Sequence, residues 1–412
     1  MKLVIFGLTI SSSWGNGHAT LWRGLVRALV ARGHHVTFFE HDVRYYAEHR
    51  DLTEIPGAKI VFYTSWNELL PRARQELADA DVGMVTSYCP DGMAASQLVL
   101  DSGAKLKTFY DLDTPVTLES LNSGKDVSYI GPRGLSDFDL VLSYTGGVAL
   151  AELEVRLGAK RVAPLYGHAD IEMHRPVPPR EEFRSDLSYL GTYAEDRQSA
   201  LEKLFIDPAR RLPEKRFAIA GAQYPQDFPW TKNVFFVRHL PPSDHPAFFC
   251  SSRITLNVTR RAMATMGYCP SGRLFEAAAC GTPLLTDSWP GLETFFAAGR
   301  EVLVGNTTED AVNALGFSDV ELKQLAKAAR ERVLSEHTSE QRAIYLERVV
   351  EQAMAGAKSP GLELPFYSDT ESSVPGALSI HEAGADPTGG NRLHQTHGSA
   401  AATPVSMVRQ ES

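Results

Sequence analysis

The first forty residues fix the kind of sheet this chain can build. Lys2–Gly7 is an unbroken apolar run, KLVIFG, and a Ser- and Gly-rich loop, LTISSSWGNGHAT, follows it. A helix is expected from about Ala19 to Ala31, where Leu21, Leu25, Val26 and Leu29 share one stripe at helical spacing. Gly33 ends it, and His35 to Glu40 is a second apolar strand. Strand, helix, strand in that order is a βαβ unit, whose crossover returns the second strand parallel to the first.

The alternation continues with expected strands at 59–63, 81–88, 106–110, 139–143 and 161–164, and helices at 92–101 and 148–157. A second series opens at 186–191. It runs through 217–221, 234–237, 254–258, the Leu284-Leu285 pair and 301–304, and closes with helices at 318–336 and 339–354. The fold class expected is therefore α/β, and 412 residues suffice for two domains. From about Ala357 the chain turns to Gly, Ser, Pro and Thr with few large apolar residues, so 357–412 is expected to be a disordered tail.

Charge and cysteines narrow the function. A net charge of -9 argues against a nucleic-acid partner, which would call for a basic face. Cys89, Cys250, Cys269 and Cys280 lack CxxC spacing, which fits buried thiols in a reducing, cytoplasmic setting and no zinc site. The N-terminus enters a strand directly, so no signal peptide is expected, and no apolar run is long enough to span a bilayer. Peripheral membrane contact stays open.

Three clusters stand where α/β folds bind ligands, at strand carboxyl ends and helix amino ends. The first is Pro270–Glu293, PSGRLFEAAACGTPLLTDSWPGLE, read as a short helix with Ser271 as N-cap, then Gly281, Pro283 and a buried strand. It would present helix N–H groups to a phosphate, with Arg273 and Glu276 one turn apart; an ordinary i,i+3 surface pair is the other reading. The second is the loop with Gly15, Gly17 and His18. Glu40 ending the next strand suggests dinucleotide binding, but Thr20 stands where a third glycine is needed; a glycine loop against a donor phosphate or acceptor is the other reading. The third is Asp111, Asp113, Thr114 and Pro115. Asp111, distant from His18 in sequence but expected near it in space, would make with it a His–Asp dyad suited to general-base work; turn chemistry at Asp113-Thr-Pro is the other reading.

FEAAACGTPLLT followed by GLE resembles the donor-site signature of GT-B glycosyltransferases of the family 4 type, closest to the CgeB-like branch. Pro164–Pro176, PLYGHADIEMHRP, resembles the same family's interdomain hinge through Gly167, Asp170 and Pro176. The resemblance implies two Rossmann-like domains facing across a cleft. Residues 1–172 would bind the acceptor, 173–338 the nucleotide-sugar, and 339–356 would be a helix crossing back to the first domain.

It also implies roles. Glu276 would bind the ribose, and Glu293 belongs to the donor set. Gly191 and Arg273 would hold the diphosphate, with Arg197 standing in for the family's Arg at Thr192 or being a helix-surface charge; Arg260, at the end of the 254–258 strand, is read from its own position as a further phosphate contact, a solvated charge being the other reading. Tyr268 replaces the family's second Glu. His168 and His174 are read as hinge packing, because no third metal ligand is evident near them in sequence. The implied activity is hexosyl transfer (EC 2.4) from a nucleotide-diphosphate sugar to a carbohydrate or small-molecule acceptor, retaining, with no metal and no cofactor. A nucleotide-sugar 2-epimerase, a non-catalytic nucleotide-sugar or glycan binder and a dehydrogenase are the alternatives.

Overall fold

The computed structural model describes Met1–Gly356; the tail expected to be disordered lies outside the described residues. The first sheet contains β1 (Lys2–Gly7), β2 (His35–His41), β3 (Lys59–Tyr63), β4 (Val82–Thr86), β5 (Leu106–Asp111), β6 (Leu140–Ser143) and β7 (Val162–Pro164), in the order β3-β2-β1-β4-β5-β6-β7. The second contains β8 (Ser185–Leu190), β9 (Phe217–Ala220), β10 (Val234–Val237), β11 (Ser252–Asn257), β12 (Leu284–Thr286) and β13 (Leu303–Val304), in the order β10-β9-β8-β11-β12-β13. The pairs are parallel in both. In each sheet the order reverses beside the first strand of its series, and ligands of doubly wound sheets settle at that switch point.

The apolar runs follow from burial on both faces. Leu3 and Ile5 pack with Leu25 and Leu29 of the His18–Ala31 helix, while Val4 and Phe6 pack on the opposite layer with Ala73 and Val99. A strand covered on both faces has no position for alternating polar residues. Among the helices not foreseen are Trp66–Leu77, Thr114–Asn122 and Arg261–Met266. Pro71 lies inside the first, and Pro115 stands at the start of the second. At a helix start proline lacks only an N–H that would have no partner anyway.

The chain crosses between the sheets twice, and the crossings lie side by side. Ala169 N–H donates to His337 O at 2.8 Å and Ser339 N–H donates to Ala169 O at 2.9 Å. Asp170 accepts from Arg27 Nε at 3.0 Å. The Ser339–Met354 helix then packs Leu346, Val349 and Val350 into the core on the β1 side, and Arg32 clamps Glu347 at 2.6 and 2.7 Å.

Candidate functional site

A cleft of about 530 Å³ opens between the carboxyl ends of the two sheets. Its wall on the second-sheet side is the Gly272–Ala279 helix. Ser271 stands at the N-cap position, but its side chain caps no N–H, and no acidic residue occupies the first turn. The helix therefore offers uncapped amide donors and the positive end of its dipole to the cleft.

Arg273 and Glu276 both line it. Arg273 Nη1 donates to Asn257 Oδ1 at 3.0 Å and its guanidinium lies 4.9 Å over the Tyr189 ring, while Nε has no partner among the described residues. Arg197, also on the cleft, donates from Nη1 to Thr192 O at 3.1 Å and likewise leaves Nε unpartnered among the described residues. Gly191 explains how Arg273 fits: a Cβ there would lie 2.7 Å from Arg273 Nη2 and 2.9 Å from the Tyr189 hydroxyl. Arg260 reaches the cleft as well, but its Nε donates to Asp196 Oδ2 at 3.1 Å.

Glu276 is not the surface partner of Arg273. It is buried, and its Oε1 accepts from Thr20 Oγ1 at 3.2 Å and faces His174 Nε2 at 4.0 Å. Burial raises its pKa. Burial also pushes the pKa of His174 and of His245 down to about 4. His174, His245 and Glu276 place one ligand atom each within 4.8 Å of one another. Sequence spacing missed this cluster, because His174 belongs to the linker and His245 to a helix seventy residues later, His245–Cys250.

Across the cleft stand Gly15, Gly17 and His18. Gly15 has φ 61°, the left-handed region that favours glycine. Glu40 shapes this loop: its buried carboxylate accepts from Thr9 Oγ1 at 2.8 Å, Ile10 N at 2.8 Å and Ser11 N at 3.1 Å. A carboxylate so committed has little capacity left for a ribose. Trp14 packs against His49 and, from the second half, His239, with ring centroids at 4.1 and 4.4 Å.

The dyad partner differs from the expectation centred on Asp111. His18 Nε2 lies 3.8 Å from Asp113 Oδ2, and Asp113 lines the cleft. Asp111 ends β5 inside the core, where Oδ1 accepts from Asp113 N and Thr117 Oγ1, each at 3.1 Å, and burial pushes its pKa up to about 6. Two residues on, the chain has left the sheet, and Asp113 precedes the first turn of Thr114–Asn122. Glu293 is exposed in the Leu292–Thr294 turn and is not part of the cleft lining. Tyr268 adopts φ 47° with its ring against Gly147 and Gly291, and Gly146 N–H of the first half donates to its carbonyl at 2.9 Å.

Residues 197–348 match a family model described as glycosyl transferase-like. No curated protein matches the sequence. Among solved structures, sucrose-phosphate synthase from Thermosynechococcus elongatus superposes with TM-score 0.63 at 14% identity, covering 87% of this chain and 100% of its own. Anabaena HepE in complex with UDP and glucose gives 0.59 at 12% identity, covering 85% and 100%. An alpha-glucosyltransferase in complex with UDP-glucose and DNA containing an abasic site gives 0.60 at 13%, covering 85% and 99%. Two parallel sheets with alternating helices, a cleft between their carboxyl ends and these neighbours establish the GT-B glycosyltransferase fold for this chain.

Proposed function

We propose that this protein is a retaining glycosyltransferase that moves a hexose from a nucleotide-diphosphate sugar to a hydroxyl of a carbohydrate or small-molecule acceptor. Residues 173–338 would hold the donor and 1–172 the acceptor. The observation that carries the reading is the pair of cleft-lining arginines, Arg197 and Arg273, each with a buried Nε–H unpartnered among the described residues, Arg273 standing in the first turn of the uncapped Gly272–Ala279 helix. Donors left unpaired in a buried site are costly unless a ligand satisfies them. A diphosphate does so, and arginine forks suit its oxygens.

Bond breaking at the anomeric carbon leaves negative charge on the β-phosphate. Fixed guanidinium groups and helix amides stabilise that charge without reorganisation. Arg197 and Arg273 supply the neutralisation at the phosphates, while Arg260 is engaged with Asp196. Glu276 accepts ribose hydroxyls, since a carboxylate accepts two protons at once. With retention, the leaving phosphate takes the acceptor proton, and His18 with Asp113 orients the incoming hydroxyl. A thermal-shift panel of uridine, guanosine, cytidine and thymidine diphosphate sugars tests the donor site. One base class should stabilise the protein, and stabilisation by none would overturn the reading. Proton NMR of the product's anomeric centre then separates retention from inversion.

One observation favours a second reading, a binder without turnover. The Tyr268 ring fills the place where the resembling family has a second Glu, wedged between Gly147 and Gly291, so no carboxylate acts from there. Stabilisation by a nucleotide-sugar with no release of nucleoside diphosphate, whatever acceptor is offered, would select it.

A further inference from the structure

His174, His245 and Glu276 come from the linker between the sheets, the His245–Cys250 helix and the Gly272–Ala279 helix. We propose that they bind a divalent transition-metal ion of the zinc class, through one nitrogen of each imidazole and one oxygen of the carboxylate. This site does not depend on the glycosyltransferase reading.

Three features point to it. The donor set of two imidazoles and one carboxylate is one that zinc-class ions prefer. His174 is 2% exposed, and neither ring nitrogen has a hydrogen-bond partner among the described residues. An imidazole buried with both nitrogens idle is unfavourable until a ligand engages it. His245 is oriented in a way that suits ligation. Its Nε2 lies 3.2 Å from Leu240 O, so Nε2 carries the proton and donates, and Nδ1, unpartnered among the described residues, keeps its lone pair.

The surroundings leave the carboxylate available. Thr20 donates to Oε1, and Arg273 directs Nη1 to Asn257 instead of pairing with Glu276. His245 and Glu276 line the cleft, so solvent reaches the ligand set, while His174 closes it from behind. A bound ion would tie the linker to two helices of the second half. It would also fix the Glu276 carboxylate with its second oxygen free to meet a ligand in the cleft.

The test uses the full chain, stripped with a chelator and reloaded with zinc or cobalt(II). Expected are one equivalent retained after desalting, ligand-field absorption of cobalt in a nitrogen/oxygen site, and a higher Tm for the loaded protein. His174→Phe, which keeps a buried ring at that position, should retain no equivalent, whereas His35→Ala at an exposed histidine should retain it. No retained metal in the parent protein, or a full equivalent in H174F, overturns the proposal. X-ray absorption on the zinc-loaded parent decides the matter even if the variant fails to fold: two imidazole ligands support the site and fewer refute it. Titration of the stripped protein with uridine diphosphate keeps the two readings apart. Nucleotide binding without metal uptake removes only the metal site, and metal uptake without binding of any nucleotide removes only the donor site.

Discussion

Thr20 Oγ1 in the first half donates to Glu276 Oε1 in the second at 3.2 Å, so a side-chain hydrogen bond spans the cleft at the point where a nucleotide would enter. The same hydroxyl lies 3.0 Å from Gly17 O and has one proton to give. A ligand that claims the Glu276 carboxylate therefore releases Thr20 to its own helix turn without leaving a donor unpaired. The contact joins the His18–Ala31 helix to the Gly272–Ala279 helix across the cleft, and it gives the first prediction its logic.

Glu276→Ala should weaken nucleoside-diphosphate binding by about 10- to 100-fold, the range for losing hydrogen bonds to a charged group. Thr20→Val should leave affinity within about threefold, because it removes a bond that the ligand displaces. Isothermal titration of both variants checks this, and equal affinities in Glu276→Ala and the parent would remove the ribose assignment.

Arg273→Lys should lose most of what Arg273→Ala loses, about 10-fold or more in diphosphate affinity. An ammonium cannot keep the Asn257 contact, the Tyr189 stacking and a phosphate contact together. Gly191→Ala should act in the same direction, since its Cβ would meet Arg273 Nη2 at 2.7 Å. Binding of nucleoside diphosphate against plain nucleoside reads the effect, which should vanish for the nucleoside.

His18→Ala should lower the rate of transfer and leave donor affinity unchanged. If the imidazole acts as a general base with Asp113, the fall is about 10²- to 10⁴-fold. If it only orients the acceptor while the leaving phosphate takes the proton, the loss appears mainly in the acceptor KM. Steady-state kinetics at saturating donor distinguishes these cases, and a normal rate with a normal KM removes His18 from the reaction.

Asp111 should make stability fall with rising pH. Its carboxyl has an ordinary value of 3.8 and sits at about 6 in the fold because of burial. Below the lower value both states are protonated and there is no penalty. Between the two the folded chain keeps a proton that the unfolded chain has lost, so stability declines through that window. Above about pH 6 the full cost applies, about 3 kcal/mol. Asp111→Asn keeps an acceptor for Asp113 N–H and Thr117 and should flatten the decline. Urea midpoints at pH 4.5 and 7.5 report it, and an unchanged slope in the variant would place the titration elsewhere.

Sequence alone determined the sheets and the short helix that lines the cleft. KLVIFG, LVLS and FAIA have no polar alternation, which strands buried on both faces tolerate, so parallel α/β architecture was readable from these runs. Arg273 and Glu276 were legible because helical spacing is local. Neighbours distant in the chain were not. Asp111 and Asp113 look equivalent in sequence, yet the end of β5 turns one into the core and leaves the other beside His18. Glu293 follows the donor motif but sits on an exposed turn. His174 and His245 became neighbours of Glu276 only when the linker and two helices packed together, because tertiary contact distance has no counterpart in sequence separation.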